Sequence, residues 1–316
     1  MVKLPGGEER GDTIKTLKYA SFVLIAAFIF GCQPVVTKMI YSLGGNPLNV
    51  LVFESAAALP FLFTLARTSG TSLRISRSTL GKLVVLGVVG NAGTTLLLGL
   101  TYVHLSAGTT TVLHYTYPIS TALILMLVFR ERLRGNQVLA MLLTVGGAAA
   151  ISMEGSLSGE PLWIGMAILS GIFWAFYLVY LDKSGLSKED SRMVNFYSNL
   201  FAASCYVILG ILTGNLKLLS SATAWVLVII AGIMSRALAG IVLQKGIRGL
   251  GPISTCVLST FEPLTSLFMG VLILHEALTM QHGFGAALIL IGSVWIVAAG
   301  AREEKAAQAV PQSQKT

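Results

Sequence analysis

The sequence predicts an all-α integral membrane protein, with ten transmembrane helices arranged as two inverted five-helix repeats. Three observations support this fold class: apolar stretches as long as a bilayer is thick, a composition poor in charge, and a repeat within the chain. A helix needs about 20 mostly apolar residues to cross the hydrocarbon core of a bilayer. Ten such stretches occur, at residues 19–40, 47–66, 81–102, 107–129, 136–153, 161–181, 192–213, 223–243, 252–274 and 281–300.

The composition argues against an ordinary soluble protein. The 316 residues are 54% hydrophobic and 11% charged, with a mean hydropathy of +0.77, whereas a soluble domain carries about 25% charged residues. The 33 glycines are typical of membrane helices that pack closely through small residues. Outside the spans there remain a polar N-terminal arm, 1–18, and a polar C-terminal tail, 301–316.

The net charge of +8 reports membrane topology rather than a nucleic-acid partner. If the N-terminus is cytoplasmic, all but three of the 22 Lys and Arg residues fall on the cytoplasmic side of the spans. Lys217 is on the opposite side, and Lys38 and Arg236 lie within spans. By the positive-inside rule, we expect a multi-pass protein of the cytoplasmic membrane with both termini in the cytoplasm and residues 275–282 outside. The basic loops would contact anionic lipid headgroups.

A repeat divides the chain into two halves, residues 19–153 and 160–300. Residues 107–152 match residues 252–297 at a constant offset of 145 without a gap. The aligned pairs are Pro118 with Pro263, Glu131 with Glu276, Leu133 with Leu278, and Gly147 with Gly292; looser pairs are Phe30-Gly31 with Trp174-Ala175 and Phe53-Glu54-Ser55 with Phe196-Tyr197-Ser198. Because five is an odd number of spans, the halves must cross the membrane in opposite directions. Inverted repeats are typical of secondary transporters, whose substrate site lies near the midplane.

Several segments resemble the EamA-domain family of the drug/metabolite transporter superfamily. They are Phe30-Gly31 with Lys38, Trp174-Ala175, Tyr115-Thr116-Tyr117-Pro118 running to Arg130-Glu131-Arg132-Leu133, and Phe261-Glu262-Pro263-Leu264 running to His275-Glu276-Ala277-Leu278. Asn195-Phe196-Tyr197-Ser198-Asn199 resembles an element of the related nucleotide-sugar transporters. The resemblance covers residues 19–300 and implies the drug/metabolite transporter fold and export of amino acids or similar compounds. Glu54 departs from it, because the family often has an arginine near that point.

Two ionisable side chains near the middle of their spans are the first candidates for a substrate site. Arg236 and Glu262 lie at equal depth, and an arginine at a helix centre costs about 2.5–3.5 kcal/mol on the insertion scale. Their depth is compatible with an ion pair, with the two ends of a site for a zwitterion, or with a purely structural pair. The offset of 145 aligns them with Asn91 and Tyr117, which are polar but uncharged.

Two further ionisable residues lie nearer the outer face. Glu54 is a candidate cavity or coupling residue and Lys38 a candidate partner for it, although snorkelling is the alternative for Lys38. Glu54 and His114 lie at similar depth and form a hypothetical site for proton exchange, since an imidazole can titrate near neutral pH.

Aromatic residues and prolines complete the candidate site. His114, Tyr115 and Tyr117 come just before Pro118, which removes a backbone donor and exposes carbonyls that a ligand can use. Pro263 is its aligned counterpart. The other predicted substrate-binding residues are Trp174 and Tyr177, whose spacing gives one helical face, and Tyr197 and Asn199. Helix packing is the alternative interpretation for this aromatic face.

No motif for catalysis, metal binding or a cofactor stands out. The three cysteines lie within spans and have neither disulfide nor metal-ligand spacing. We therefore expect a protein that is not an enzyme and has no cofactor, and that carries a small polar metabolite across the membrane by alternating access. Spans 1–4 and 6–9 would enclose the cavity, with spans 5 and 10 as scaffold. A channel or, less favoured, a membrane-embedded enzyme stays open, as do proton coupling and a homodimer.

Overall fold

The fold is helical throughout the part of the chain that the computed structural model describes, residues 7–105, 107–152, 160–274 and 279–309, and no strand occurs there. The first half contains α1 (Gly7–Ser42), α2 (Pro47–Thr68), α3 (Arg77–Val85), α4 (Gly93–His104), α5 (Ala107–His114), α6 (Tyr117–Leu127) and α7 (Gly135–Ser152). The second half contains α8 (Pro161–Lys183), α9 (Ser191–Thr213), α10 (Ala222–Ala231), α11 (Gly240–Ser259), α12 (Glu262–Leu274) and α13 (Met280–Ala309). The predicted all-α class is confirmed.

Several of these helices are long and apolar enough to cross a membrane. Within the described ranges, seven helical runs meet this criterion by length and composition: Ile14–Ser42, Pro47–Thr68, Arg77–His104, Pro161–Lys183, Ser191–Thr213, Ala222–Met269 and Met280–Ala299. The count differs from the predicted ten for two reasons. The 48-residue run joins two predicted stretches, and two others appear as the shorter apolar helices Tyr117–Leu127 and Gly135–Ala150.

Two elements of the first half reappear at the same places in the second. A π-helical turn, the first π segment (Leu86–Ala92), joins α3 to α4, and the second π segment (Gly232–Ala239) joins α10 to α11. A helix also breaks between α5 and α6, just before Pro118, and between α11 and α12, just before Pro263. Each proline stands in the first turn of the helix that follows, where its missing N–H has no intrahelical partner to lose.

The two halves pack against each other through corresponding helices. α2 packs against α9 and α7 against α13, while α1 contacts α12 as α8 contacts α6. Aligned glycines allow this close approach: a Cβ on Gly147 would lie 2.6 Å from the carbonyl oxygen of Gly285, and one on Gly292 would lie 3.0 Å from that of Ala140. This exchange of equivalent contacts is expected of two repeats related by a pseudo-twofold axis.

Glycines also let the first helix of each repeat approach the other repeat closely. A Cβ on Gly31 would lie 2.6 Å from the carbonyl oxygen of Glu262, and a Cβ on Gly171 would lie 2.5 Å from that of His114. The looser pairing of Phe30-Gly31 with Trp174-Ala175 stays a prediction.

Candidate substrate-binding cavity

A cavity of about 180 Å³ is enclosed by helices of both repeats. The described residues that line it come from α1, α2, α4, α5 and the first π segment, and from α8, α9, α11, α12 and the second π segment; none lies on α7 or α13. Pockets for drug-sized ligands measure about 300–1,000 Å³, so this volume suits a smaller molecule. The polar lining residues include Gln33, Glu54, Asn91, Thr94, Thr95, Tyr102, His114, Tyr115, Tyr177, Asn199, Ser235, Arg236 and Glu262.

Most of the residues predicted from the sequence lie around this cavity. They are Glu54, Asn91, His114, Tyr115, Trp174, Tyr177, Asn199, Arg236 and Glu262, with Pro263 beside them. The fold thus brings together side chains that are up to 209 positions apart in the sequence, from Glu54 to Pro263. That these side chains bind a substrate stays a prediction.

Four predicted residues lie elsewhere. Tyr117 is fully buried in the central core, and Pro118 is buried in the first turn of α6. The hydroxyl of Tyr197 donates to the carbonyl oxygen of Leu73 at 2.7 Å, which turns this side chain toward the connection between α2 and α3. Lys38 is exposed near the C-terminal end of α1. The structure does not bring these four side chains into the cavity.

Arg236 pairs with Glu54 and not with Glu262. Its Nε lies 2.9 Å from Oε2 of Glu54, and the two side chains are 7% and 1% exposed. The sequence-based pairings of Arg236 with Glu262 and of Lys38 with Glu54 are therefore wrong. The cause is a close approach of two backbones: a Cβ on Gly232, in the second π segment, would collide with the carbonyl oxygen of Glu54 on α2.

Further contacts surround this ion pair. Gln33 Nε2 donates to Oε1 of Glu54 at 2.5 Å, and the Arg236 guanidinium lies 5.5 Å from the centre of the Tyr206 ring. The Tyr206 hydroxyl is 2.5 Å from Oγ1 of Thr95. A buried ion pair is tolerated only when additional hydrogen bonds satisfy its remaining polar atoms, and this network fulfils that condition for Glu54.

The opposite repeat places a neutral hydrogen bond at the equivalent positions. Asn91 Nδ2 donates to Oγ of Ser198 at 3.2 Å. Asn91 lies 145 positions before Arg236, and a Cβ on Gly87 would meet the carbonyl oxygen of Ser198 as a Cβ on Gly232 would meet that of Glu54. The two contacts are therefore pseudo-symmetric, and the counterpart of Glu54 is Ser198, one position beyond the Tyr197 of the looser sequence pairing. Both Asn91 and Arg236 stand on π segments, a local geometry that occurs frequently at functional sites.

Glu262 presents a second carboxylate to the cavity. No cation among the described residues forms an ion pair with it. Glu262 is the first residue of α12, and its Oε2 accepts a hydrogen bond from the Tyr115 hydroxyl at 3.0 Å. Its side chain is only partly buried, in contrast to that of Glu54. Gly31 lets α1 approach the start of α12, since a Cβ at Gly31 would lie 2.6 Å from the Glu262 carbonyl oxygen.

A group of aromatic rings lines the same cavity. The rings of Trp174 and Tyr177 are stacked with centroids 5.0 Å apart and planes inclined by 5°. Phe30 meets Trp174 edge-on at 6.0 Å and 87°. The predicted aromatic wall thus exists, and it also packs α8 against α1, so that the two interpretations of this face are compatible.

Two buried polar atoms of the lining lack a hydrogen-bond partner among the described residues. They are Oδ1 of Asn199 and Oγ1 of Thr94. The amide nitrogen of Asn199 donates to the carbonyl oxygens of Asn195 and Arg236, at 2.9 and 3.1 Å, which fixes the amide so that Oδ1 has no such bond. Because buried polar groups in native proteins are normally hydrogen-bonded, these two atoms are exceptions within the lining.

His114 is hydrogen-bonded to Ser170 through Nδ1. The Ser170 hydroxyl donates to the carbonyl oxygen of Ala167 at 2.6 Å, so its oxygen accepts from Nδ1 of His114, 2.9 Å away. This arrangement places a proton on Nδ1. His114 has no metal-binding companions, because no group of three His, Cys, Asp or Glu side chains that could hold a metal comes together in the described ranges.

Sequence reasoning missed Gln33, Thr94 and Tyr206. Gln33 completes the hydrogen bonds of Glu54, Thr94 offers an unpaired hydroxyl, and Tyr206 lies under the guanidinium of Arg236. Each is a polar residue within an apolar stretch, and this signal could have identified them as candidates. Many other Thr, Ser and Tyr residues share that signal, so the sequence alone could not have ranked them.

Comparison with known proteins identifies relatives along almost the whole chain. An uncharacterised transporter of Clostridium kluyveri is 22% identical over 284 residues, which cover 86% of this chain and 91% of the relative. An uncharacterised protein of Pseudomonas aeruginosa is 28% identical over 199 residues, which cover 63% of this chain and 67% of the relative. A crystal structure with 17% identity superposes with a TM-score of 0.76, covering 88% of this chain and 97% of that one, and this likeness shows the fold alone.

The family model that matches is the EamA-like transporter family, and it matches twice, at residues 17–153 and 161–298. These two segments agree with the two helical repeats and leave only the connection and the two ends of the chain uncovered. The repeat, the membrane-spanning helices and the transporter-named relative all agree with this match. The chain therefore belongs to the EamA-like transporter family.

Proposed function

We propose that the protein is a secondary transporter that exports a small polar metabolite, an amino acid or a related compound, across the cytoplasmic membrane. The observation that carries the proposal is the cavity itself. It is lined by both repeats, includes the acidic and basic side chains of Glu54, Arg236 and Glu262, and has two buried polar atoms without partners among the described residues. Such a site between two repeats is where transporters built from repeats bind their substrates.

The proposal includes ten spans in two inverted repeats, with both termini in the cytoplasm. The apolar stretches and the distribution of Lys and Arg support it. The run of 48 residues supports two crossings, because a helix rises 1.5 Å per residue and a bilayer core is about 30 Å thick. Its backbone leaves the helical region at Gly251, with φ 74° and ψ 172°, which allows a change of direction there.

Alternating access would open the cavity to one side at a time. The repeats are joined by hydrogen bonds at both ends of the bundle: Asn46 Nδ2 to the Asn215 carbonyl oxygen at 3.1 Å, and Thr71 Oγ1 to Asp190 Oδ2 at 3.0 Å. These contacts lie at opposite ends of α2 and of α9. Rocking of one repeat against the other would break one set while the other persists, and the π segments and helix breaks offer places where the backbone can adapt.

Proton coupling is part of the proposal, with Glu262 in place of Glu54 as the proton-carrying acid. Glu54 is buried and committed to Arg236 and Gln33, whereas Glu262 is accessible from the cavity. The titratable side chains that interact with Glu262 are Tyr102, Tyr115, Tyr117 and Cys256.

Reconstitution into liposomes tests this function. A thermal-shift screen of metabolites on purified protein first selects ligands, and uptake of each radiolabelled ligand is then measured with and without unlabelled ligand inside. A carrier gives saturable uptake that is stimulated by internal ligand, and an imposed pH gradient should drive accumulation by the wild type but not by Glu262→Gln. Glu131→Gln is the matched control, since Glu131 is an exposed acid paired with Lys183. Flux without saturation or counterflow would indicate a channel, and conversion of the ligand would indicate an enzyme.

A further inference from the structure

From the contacts of its three charged residues, we infer that the cavity selects the positively charged amine group of its substrate through Glu262 and disfavours a free carboxylate. This inference rests on the proposed function and narrows it: among the compounds proposed above, the cavity takes amines without a carboxylate in preference to free amino acids. It replaces the zwitterion site that the equal depth of Arg236 and Glu262 suggested. A zwitterion needs both an available cation and an available anion in the cavity, and Glu54 already neutralises the cation.

Arg236 is already neutralised by Glu54. Its Nε donates to Oε2 of Glu54 at 2.9 Å, its guanidinium lies against the Tyr206 ring, and its side chain is 7% exposed. A guanidinium has five N–H donors, so a substrate carboxylate would have to share Arg236 with the Glu54 carboxylate, and the two negative charges would repel each other. Displacing Glu54, which is 1% exposed, would leave an uncompensated buried carboxylate, which is strongly unfavourable. The ion pair thus lowers the attraction of Arg236 for a second anion.

Glu262 is available to a cation. Among the residues that the structure describes, the hydrogen-bond partner of its carboxylate is the Tyr115 hydroxyl, which occupies Oε2. No described cation pairs with it, and its side chain is only partly buried. With Glu54 and Arg236 neutralising each other, the lining carries one uncompensated negative charge when Glu262 is ionised. A bound cation of the substrate would compensate it, and an anion would be repelled.

The aromatic lining favours the same chemistry. Trp174 and Tyr177 present stacked rings to the cavity, with Phe30 edge-on beside them. An ammonium group is attracted to the faces of such rings, most strongly where water is excluded. A carboxylate gains no such attraction, because the faces of aromatic rings carry partial negative charge.

The test compares ligands that have similar hydrocarbon parts but differ in the charge of their polar group. Butylamine and phenethylamine are compared with butyrate and hydrocinnamate, and phenylalanine serves as the zwitterion. Binding to detergent-purified full-length protein at pH 7.5 is measured by isothermal titration calorimetry, which avoids passive diffusion of amines through liposomes. We expect each amine to bind at least tenfold more tightly than its acid, and phenethylamine to bind more tightly than phenylalanine.

Two variants and one control assign the preference to particular residues. Glu262→Gln should weaken amine binding at least tenfold, and Glu131→Gln should leave it unchanged. Glu54→Gln should open Arg236 and so raise the affinity for hydrocinnamate and phenylalanine relative to phenethylamine. If Glu54→Gln does not fold, the charge series on the wild type and on Glu262→Gln still decides the inference.

The two proposals fail in different ways. If the liposome assay shows counterflow but the wild type prefers acids or zwitterions, or if Glu262→Gln binds amines as the wild type does, the cation inference is wrong and the transport function stands. If neither amine binds while other ligands are carried, the inference is also wrong. If no ligand from the screen shows saturable, trans-stimulated uptake, the proposed function itself is refuted.

Discussion

The two walls of the cavity share a backbone arrangement but not its chemistry. On one wall Arg236 of the second π segment binds Glu54 of α2, and on the other Asn91 of the first π segment binds Ser198 of α9. The positions are related by the repeat, yet one pair is charged and the other is neutral. The comparison shows that the repeat determines which positions are in contact, whereas the side chains at those positions determine whether the contact is charged or neutral and so which ligands it can bind.

The same contrast occurs at the ends of α2 and α9. Asn46 caps the N-terminus of α2 and donates to the Asn215 carbonyl oxygen, while Asp190 caps α9 and accepts from Thr71. Asp190 also forms an ion pair with Arg192 at 2.7 Å. The cap of α2, Asn46, is therefore neutral, whereas the equivalent cap of α9, Asp190, is ionised. Substitutions at equivalent positions of the two repeats can thus be compared directly.

The largest expected effect comes from breaking one member of the buried ion pair. Arg236→Met and Glu54→Leu each leave a buried charge without its partner, so each should lower the free energy of unfolding by about 3–5 kcal/mol. The double variant removes both charges and should recover most of that loss. The measurement is chemical or thermal unfolding of detergent-purified protein, on variants whose insertion into the membrane has been verified.

The pseudo-symmetric position supplies the control for this experiment. Asn91→Ala removes one hydrogen bond between uncharged groups and should cost only about 1 kcal/mol. If the double variant is no more stable than either single one, or if Asn91→Ala costs as much as Arg236→Met, the two walls do not differ energetically as their charges imply.

A smaller effect is expected at the glycines behind the two contacts. A Cβ on Gly232 would collide with the backbone of Glu54, and one on Gly87 would lie 2.8 Å from the Ser198 carbonyl oxygen. Overpacking typically costs about 1–3 kcal/mol. Gly232→Ala should be the worse of the two, because any separation of the helices also stretches the ion pair of Arg236, whereas Gly87→Ala stretches only a neutral hydrogen bond.

Thermal unfolding of both variants checks this order. Gly146→Ala is the matched control, since nothing lies within 4 Å of a Cβ there. It should be neutral or slightly stabilising, because alanine is favoured over glycine in a helix. Equal losses at Gly232 and Gly87 would show that packing alone, without the charges, determines the sensitivity of these positions.

The smallest effect concerns the two helix caps and depends on pH. The Arg192 side chain, helped by the Arg192 backbone N–H and the Thr71 hydroxyl, lowers the pKa of Asp190 from 3.8 to about 2. A carboxyl with a lowered pKa in the folded state stabilises that state fully above its unfolded pKa and loses this contribution as the pH falls toward 2. About a third of the Asp190 side chain is exposed, so the contribution should stay below about 1 kcal/mol.

Asp190→Asn should therefore lower the melting temperature slightly at pH 7, and the difference from the wild type should shrink as the pH falls from 4 toward 2. Asn46→Ala provides the comparison at the equivalent cap, where no group titrates. Its cost, about 0.5–2 kcal/mol for a lost cap, should not vary with pH over that range. A difference for Asp190→Asn that stays constant down to pH 2 would contradict an ionised cap.

The sequence by itself determined the all-α class, the repeat, and several of the residues that line the cavity. These features depend on properties that are local along the chain: the length of apolar stretches, the position of prolines such as Pro118 and Pro263, and the cost of placing Arg236 in an apolar span. Each can be read without knowledge of which helices touch, because a bilayer imposes the same constraint on every helix that crosses it.

Only the tertiary structure decided which side chains pair. Because Arg236 and Glu262 lie at equal depth, the sequence suggested that they pair. Depth does not specify how each helix is rotated about its axis, and in the structure this rotation places Arg236 next to Glu54. Gly232 allows α2 to lie close enough for this contact, and the second π segment shifts the face on which Arg236 stands. Because both depend on the contact between two helices far apart in the chain, the pairing, and with it the charge that is left open at Glu262, could not be derived from the sequence alone.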